Sequence, residues 1–169
     1  MDLSALESVV ASLNATGVRY LIAGGLAVAA HGYLRFTADV DLVIELDPDN
    51  IVAAFTALEA LGYRPTVPVT AKQFADQSQR ERWVNERRMQ VLNLFSDRFR
   101  TTPIDIFVTE PFDFQQEYAN AMTSEIAPGC AVRFVAIQTL ITMKTVAGRP
   151  KDLDDVEHLR LILDQGEHS

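Results

Sequence analysis

Residues 23–42 read AGGLAVAAHGYLRFTADVDL, and the fold turns on how that stretch divides. The run before it, residues 18–23, is apolar and partly β-branched or aromatic, which suits a strand. Gly24 and Gly25 break that strand, and the Ala-rich residues 26–30 read as a short helix. Residues 39–45, Asp-Val-Asp-Leu-Val-Ile-Glu, resume as a second strand. Side chains alternate faces along a strand, so Asp39 and Asp41 point the same way, their Cα atoms about 6.5 Å apart. Val40, Leu42 and Ile44 then point into the core.

Outward from this centre the chain alternates helices and strands. Leu3, Leu6, Val10 and Leu13 recur at helical spacing, and Gly17 is placed to end that helix. Ile51, Ala54, Phe55, Leu58 and Leu61 make the apolar stripe of another, capped by Asp47 or Asp49 and closed by Gly62. Residues 66–88 are polar and weakly periodic and read as a helix-and-loop excursion. Residues 90–96 and 102–108 read as strands, with Pro103 suited to a strand start. A helix is expected over 112–122, a pair of short strands over 124–134 turning at Pro128-Gly129, and two closing helices within 136–165. The pattern is α+β: a mixed central sheet flanked by helices, one domain over residues 1–169 with its core in 18–110.

A chain of 169 residues fits a single domain. Its net charge of -8 argues against broad, non-specific nucleic-acid binding, which draws on many Lys and Arg contacts to phosphate. Arg80, Arg82, Arg87, Arg88, Arg98 and Arg100 cluster mid-chain and would steer an RNA end, although the interleaved Glu81 and Glu86 suit a solvated helix face. Cys130 is the only cysteine, so no internal disulfide forms. The first residues lack a basic leader, and no apolar run approaches the roughly 20 residues of a membrane span. A cytoplasmic protein with no membrane partner is expected.

Two carboxylates side by side on a half-buried strand repel one another, and burying them unpartnered is costly. A divalent cation removes that cost; magnesium takes hard oxygen ligands and combines one or two carboxylates with substrate phosphates. An isolated Asp-x-Asp is ordinarily a solvated strand end, so the neighbours decide. The Gly24-Gly25 turn lets a phosphate approach the backbone at a helix start, though it lacks the third glycine of a dinucleotide fingerprint and the Lys-Ser/Thr of a P-loop. Asp105 sits between Ile104 and Ile106, where an acid wants a cation. On an adjacent strand it supplies a third carboxylate that binds metal or helps to deprotonate a hydroxyl. Lys144 continues the core-facing stripe of Ile137, Leu140 and Ile141 and should meet an anion, a phosphate or an aspartate, unless it snorkels to water.

In combination, Ala23-Gly24-Gly25, Asp39-Val40-Asp41-Leu42 and Ile104-Asp105-Ile106 resemble the nucleotidyltransferase superfamily that shares the polymerase-β catalytic core. The wider block over residues 24–42, with Lys144 and the run Arg149-Pro-Lys-Asp-Leu-Asp-Asp, looks like the branch of AbiEii-type nucleotidyltransferase toxins. The resemblance spans residues 18–163. It implies the polymerase-β-like fold and transfer of a nucleoside monophosphate from an NTP to a hydroxyl of RNA, a tRNA end or a protein, with magnesium, or manganese in its place. By that resemblance Asp39, Asp41 and Asp105 hold the metals, Gly24 and Gly25 cradle the triphosphate, and Lys144 neutralises phosphate charge. Arg35, Thr37, Lys151 and Asp152 match the branch as supporting residues. Charge near the start of a helix at Pro150 explains the last run by itself. His31 reads as a packing or capping residue.

The larger AbiEii-type proteins continue into a further helical domain that this chain lacks, so an acceptor-binding region is absent or comes from a partner; an antitoxin or partner subunit is the partner the resemblance implies. Two other readings stand beside this one. An antitoxin-type enzyme would transfer AMP to a protein, but such enzymes carry Gly-Ser and Ser-Asp-x-Asp where this chain has Gly-Gly and Ala-Asp-x-Asp. A catalytically silent nucleotide-binding or interaction module would have no need of all three acids.

Overall fold

In the computed structural model, which describes residues 1–167, the chain opens with helix α1 (Leu3–Ala15). Asp2 caps it by accepting from the Ser4 N–H, and Ala5, Leu6, Val9, Val10 and Leu13 are buried. After Gly17, held at φ +68° where a side chain would be strained, come β1 (Tyr20–Ile22), α2 (Gly24–Ala30), β2 (Val40–Ile44) and α3 (Pro48–Ala60). Then follow β3 (Tyr63–Pro65), α4 (Ala71–Ala75), α5 (Gln77–Arg87), β4 (Val91–Ser96) and β5 (Ile104–Phe107). The chain continues through α6 (Phe114–Asn120), β6 (Met122–Ala127), β7 (Cys130–Phe134), α7 (Ile137–Ala147) and α8 (Pro150–Glu167).

The strands form one seven-stranded mixed sheet in the order β3-β4-β5-β2-β1-β7-β6. β2 runs parallel to β5 and β1 to β7, while the other neighbours are antiparallel. For the site, the register of β2 on β5 matters most: Val40 pairs with Ile104, Asp41 with Asp105 and Leu42 with Ile106. Val40, Leu42, Ile104 and Ile106 are fully buried. A slip of one residue would turn an apolar set to the wrong face, so the core fixes the alignment that sets the two acids side by side.

The structure refines several boundaries. α2 begins at Gly24 rather than at residue 26, with Ala23 as its N-cap. Asp39 lies just ahead of β2 rather than within it. The helix expected over 112–122 is shorter, because Asp113 caps its start and Met122 already belongs to β6. The excursion at 66–88 resolves into α4, with a Thr70–Gln73 capping box, and α5, capped by Asp76. β3 was not expected. It is three residues long, ends in a proline and takes an edge position, where Pro is tolerated. Asp47 is the cap of α3. Among the described residues no helix is long and apolar enough to cross a membrane.

Candidate active site

Asp41 and Asp105 stand opposite each other on β2 and β5, and Asn93 of β4 pairs with Asp105 from the other side. The three therefore form a polar row across one face of the sheet. Asn93 Nδ2 donates to Asp105 Oδ1 at 2.8 Å, which orients that carboxyl. Burial, then the negative charges of Asp105 and Asp39, push the Asp41 carboxyl up to about 6, against an easing by Lys144 and Arg149. Asp105 is raised as well, by burial first and by Asp39 last, with the Asn93 hydrogen bond opposing. Each acid thus feels its neighbours. Among the described residues no three acidic, His or Cys side chains are drawn to metal-ligating distance of one point.

The glycine turn faces this row. The Ala23 N–H donates to the Asp41 carbonyl at 2.9 Å, which brings Gly24 beside Asp41. Gly24 sits at φ +62°, and a methyl group there would overlap the Asp41 carboxylate. The missing side chain is therefore a condition for the acid's position. At Gly25 a Cβ would lie 2.6 Å from Thr37 Oγ1 and 3.1 Å from Arg35 Nη2. Bare backbone here lets the loop over residues 31–39 pack directly on the turn.

That loop alternates. Tyr33 donates its hydroxyl to Asp154 Oδ2 at 2.8 Å and stacks on His158, with ring centroids 3.8 Å apart. Arg35 grips Asp155, Nη2 donating to Oδ2 at 2.9 Å. Arg35 Nε lies 2.7 Å from Asp155 Oδ1, a close ion pair whose angle falls outside hydrogen-bond geometry. Leu34 and Phe36 between them point outward and are exposed. Arg35 is thus tied to α8 rather than solvated on a loop.

Asp155 also takes Lys144 Nζ at 2.7 Å, and Asp152 takes the same amine at 3.3 Å. Arg149 completes the network, its Nε donating to Asp152 Oδ2 at 2.6 Å and its Nη2 to Oδ1 at 3.3 Å. Burial pushes Asp152 up, but hydrogen bonds from Arg149 and Lys144 outweigh it and hold the carboxyl below the usual range. Lys144 does meet an anion, as a core-facing lysine must, and the anions are aspartates of α8.

Of the residues singled out from sequence, Asp41, Asp105, Gly24, Gly25 and Thr37 come together, and Asp39 acts on both neighbouring acids through its charge. Lys144, Asp152 and Arg35 gather in the adjoining ion network with Asp155. Lys151 is exposed on the first turn of α8. His31 Nε2 lies 2.8 Å from the Val135 carbonyl, a packing role. The mid-chain arginines are engaged separately: Arg80 is buried and bonds the Phe74 carbonyl, Arg82 pairs with Glu86, and Arg98 covers the Phe99 ring. Arg80 therefore offers no surface to RNA. Asn93 and Arg149 were missed as site residues. Asn93 is signalled by a polar residue inside the apolar run Val91-Leu-Asn-Leu94, and Arg149 by its place before Pro150.

No family model and no curated protein sequence matches the chain. Solved structures do. The antibiotic-resistance factor ANT(2'')-Ia in solution is similar with a TM-score of 0.59 at 16% identity, over 96% of this chain and 83% of that one. A putative nucleotidyltransferase from Thermotoga maritima gives 0.55 at 14% identity, over 96% and 92%. A nucleotidyltransferase-like antigenic protein from Paracoccidioides brasiliensis gives 0.54 at 19% identity, over 93% and 74%. At these identities the likeness is one of fold, and the α+β chain with its mixed seven-stranded sheet has the nucleotidyltransferase fold.

Proposed function

We propose that the chain is a metal-dependent nucleotidyltransferase that moves an NMP from an NTP to a hydroxyl acceptor. The observation that carries this reading is the register of Asp41 on Asp105, beside a Gly24 that must be bare for Asp41 to stand where it does. Such a raised, mutually repelling set of carboxylates fits magnesium or manganese: hard oxygen donors, lacking a cation from the chain itself strong enough to settle them. When bound, the metal supplies neutralisation of the triphosphate and of charge developing on the oxygens of the displacement.

Asp39 and Asp41 would hold that cation and Asp105 would share it, with Asn93 fixing the Asp105 orientation. The acceptor oxygen forms a bond to the α-phosphorus in line with the bridging oxygen, whose bond to that phosphorus breaks as pyrophosphate leaves. The hydroxyl proton passes to the Asp105 carboxylate, which the Asn93 amide orients. Gly24 and Gly25 bring backbone amides to the phosphates.

The AbiEii-type resemblance favours an RNA or tRNA end, or a protein, as acceptor and a toxin–antitoxin setting. A small hydroxylated molecule is a second reading, favoured by the match to ANT(2")-Ia in complex with adenylyl-2"-tobramycin over 99% of this chain and 98% of that one. The test is incubation with each labelled NTP, magnesium or manganese, and RNA, protein or polyhydroxylated acceptors. Label should appear in one acceptor class with the wild type and vanish with Asp39→Ala and with Asp105→Ala. Transfer that survives either change would remove that residue from the mechanism, and metal-dependent NTP binding without transfer would favour the silent module.

A further inference from the structure

We infer that Arg149, at the turn between α7 and α8, is the cation that meets the triphosphate, and that Lys144 is a positioning residue behind it. The inference rests on the nucleotidyltransferase reading and changes which side chain of that site carries the phosphate charge.

Lys144 is in no position to reach a ligand. Its side chain is 7% exposed and its amine already lies between Asp155 at 2.7 Å and Asp152 at 3.3 Å. Moving it to a phosphate would weaken the pairing of two buried carboxylates, a costly exchange. Arg149 has the opposite circumstances. Its side chain is 63% exposed and, among the described residues, its one ion-pair partner is Asp152. A guanidinium has five N–H donors in a planar fork, and the contact with Asp152 engages Nε and Nη2, leaving Nη1 for a phosphate oxygen.

Charge counting agrees. Lys144, Arg35 and Arg149 face Asp152 and Asp155, so one positive charge is left over. The excess belongs on the side chain with the best access to solvent, and Arg35 at 22% and Lys144 at 7% exposure are both more enclosed than Arg149. The backbone holds Arg149 in place. Gly148 ends α7 at φ +65°, Pro150 opens α8, and the Arg149 carbonyl accepts the N–H groups of Asp152 and Leu153. A run of contacts ties it to the glycine turn: Arg35, packed on Gly25, pairs with Asp155, which shares Lys144 with Asp152, the partner of Arg149. The chain of contacts runs from Lys144 to Asp152 to Arg149: the buried amine fixes the carboxylate, and the carboxylate aims the guanidinium.

The experiment is calorimetric titration of the full chain, in magnesium, with ATP, CTP, GTP and UTP and with the corresponding NMPs. Arg149→Ala should weaken binding of the preferred NTP about 10- to 100-fold, the worth of a charge-assisted phosphate contact. Affinity for the matching NMP should change less than about 3-fold, since the lost contact is to the outer phosphates. Arg149→Lys should recover only part of the loss, since an ammonium lacks the fork that bonds Asp152 and leaves an edge free, and Arg149→Ala, which keeps the Lys144–Asp152 pair, should melt less far below the wild type than Lys144→Met. Lys144→Met should melt earlier, and measured where it is folded, the double variant Lys144→Met/Arg149→Ala should bind NTP no more weakly than Arg149→Ala alone. Unchanged NTP affinity in Arg149→Ala overturns the inference, as does a further tenfold loss in the double variant, which would return Lys144 to the phosphates. A wild type that binds no NTP at all overturns the nucleotidyltransferase reading itself, a result distinct from either.

Discussion

Two charged regions lie side by side in this molecule and are built on opposite terms. In the network of α7, α8 and the 31–39 loop, cations and carboxylates alternate, and Asp155 is fully buried between Arg35 and Lys144. In the row across β4, β5 and β2, carboxylates meet carboxylates, the side-chain donor to Asp105 among the described residues is a neutral amide, and Asp41 is forced up to about 6. The chain completes the first region with its own residues. The second it leaves electrostatically unfinished, where the glycine turn packs against Asp41. Buried ionisable groups are tolerated where they are paired, and an unpaired set in a cleft is a candidate for function.

Breaking the paired region should have the largest effect. Asp155→Ala leaves Lys144 and Arg35 short of a counter-ion at a fully buried position, and a loss of about 3–5 kcal/mol in denaturant unfolding is expected. The loop bearing Arg35 and Thr37 would loosen with it, so NTP affinity should fall too. A loss below about 1 kcal/mol would mean that the network is closer to a surface ion pair than to a core one.

The unfinished region should behave in the reverse way. The folded chain holds the Asp41 proton more tightly than the unfolded chain does, since its pKa rises from 3.8 to about 6. The group's contribution to stability is therefore fully present below about pH 4 and is lost as pH rises to about 6, by about 2–3 kcal/mol. Asp41→Asn should flatten that part of the profile and be more stable than the wild type at pH 8 in chelator. Magnesium at millimolar concentration should raise the wild-type melting temperature at pH 8, more than at pH 4.5, and leave Asp41→Asn nearly unmoved. A wild-type profile that rises between pH 4 and 6 without an Asp41-dependent component would remove the contrast between the two regions.

The unfinished region was the more legible in sequence. Asp39, Asp41 and Asp105 stand out because acids amid apolar strand residues violate the local pattern, and the alternation of Val40, Leu42 and Ile44 told which face they share. The paired region was less so. That Lys144 seeks an anion follows from its stripe, but its partners lie beyond a turn at Asp152 and Asp155, and choosing them over a phosphate requires the packing of α7 on α8. Arg35 looked like a loop residue because its partner is 120 positions away. β3 escaped notice since three residues carry no period, and its Tyr63 is buried through a hydroxyl bond to the Thr102 carbonyl at 2.8 Å. α5 was blurred because, of its residues, Arg80 alone is buried, although the caps Thr70 and Asp76 were there to be read.

The smallest effect expected is at Lys151, and it sharpens the boundary between the regions. Lys151 neighbours Arg149 and Asp152 in sequence, carries the same charge as Arg149 and is exposed. A cation in the first turn of a helix also sits at the positive end of its dipole, which is mildly unfavourable. Lys151→Ala should therefore change stability by less than about 0.5 kcal/mol, with a slight gain the preferred sign. NTP affinity should move less than about 3-fold, against the 10- to 100-fold of Arg149→Ala. Two cations are not equivalent merely because they are close in sequence: Asp152 aims Arg149, and among the described residues no hydrogen bond or ion pair aims Lys151. A loss in Lys151→Ala as large as in Arg149→Ala would show that an aimed guanidinium is not required, and that the whole start of α8 presents its charge to the triphosphate.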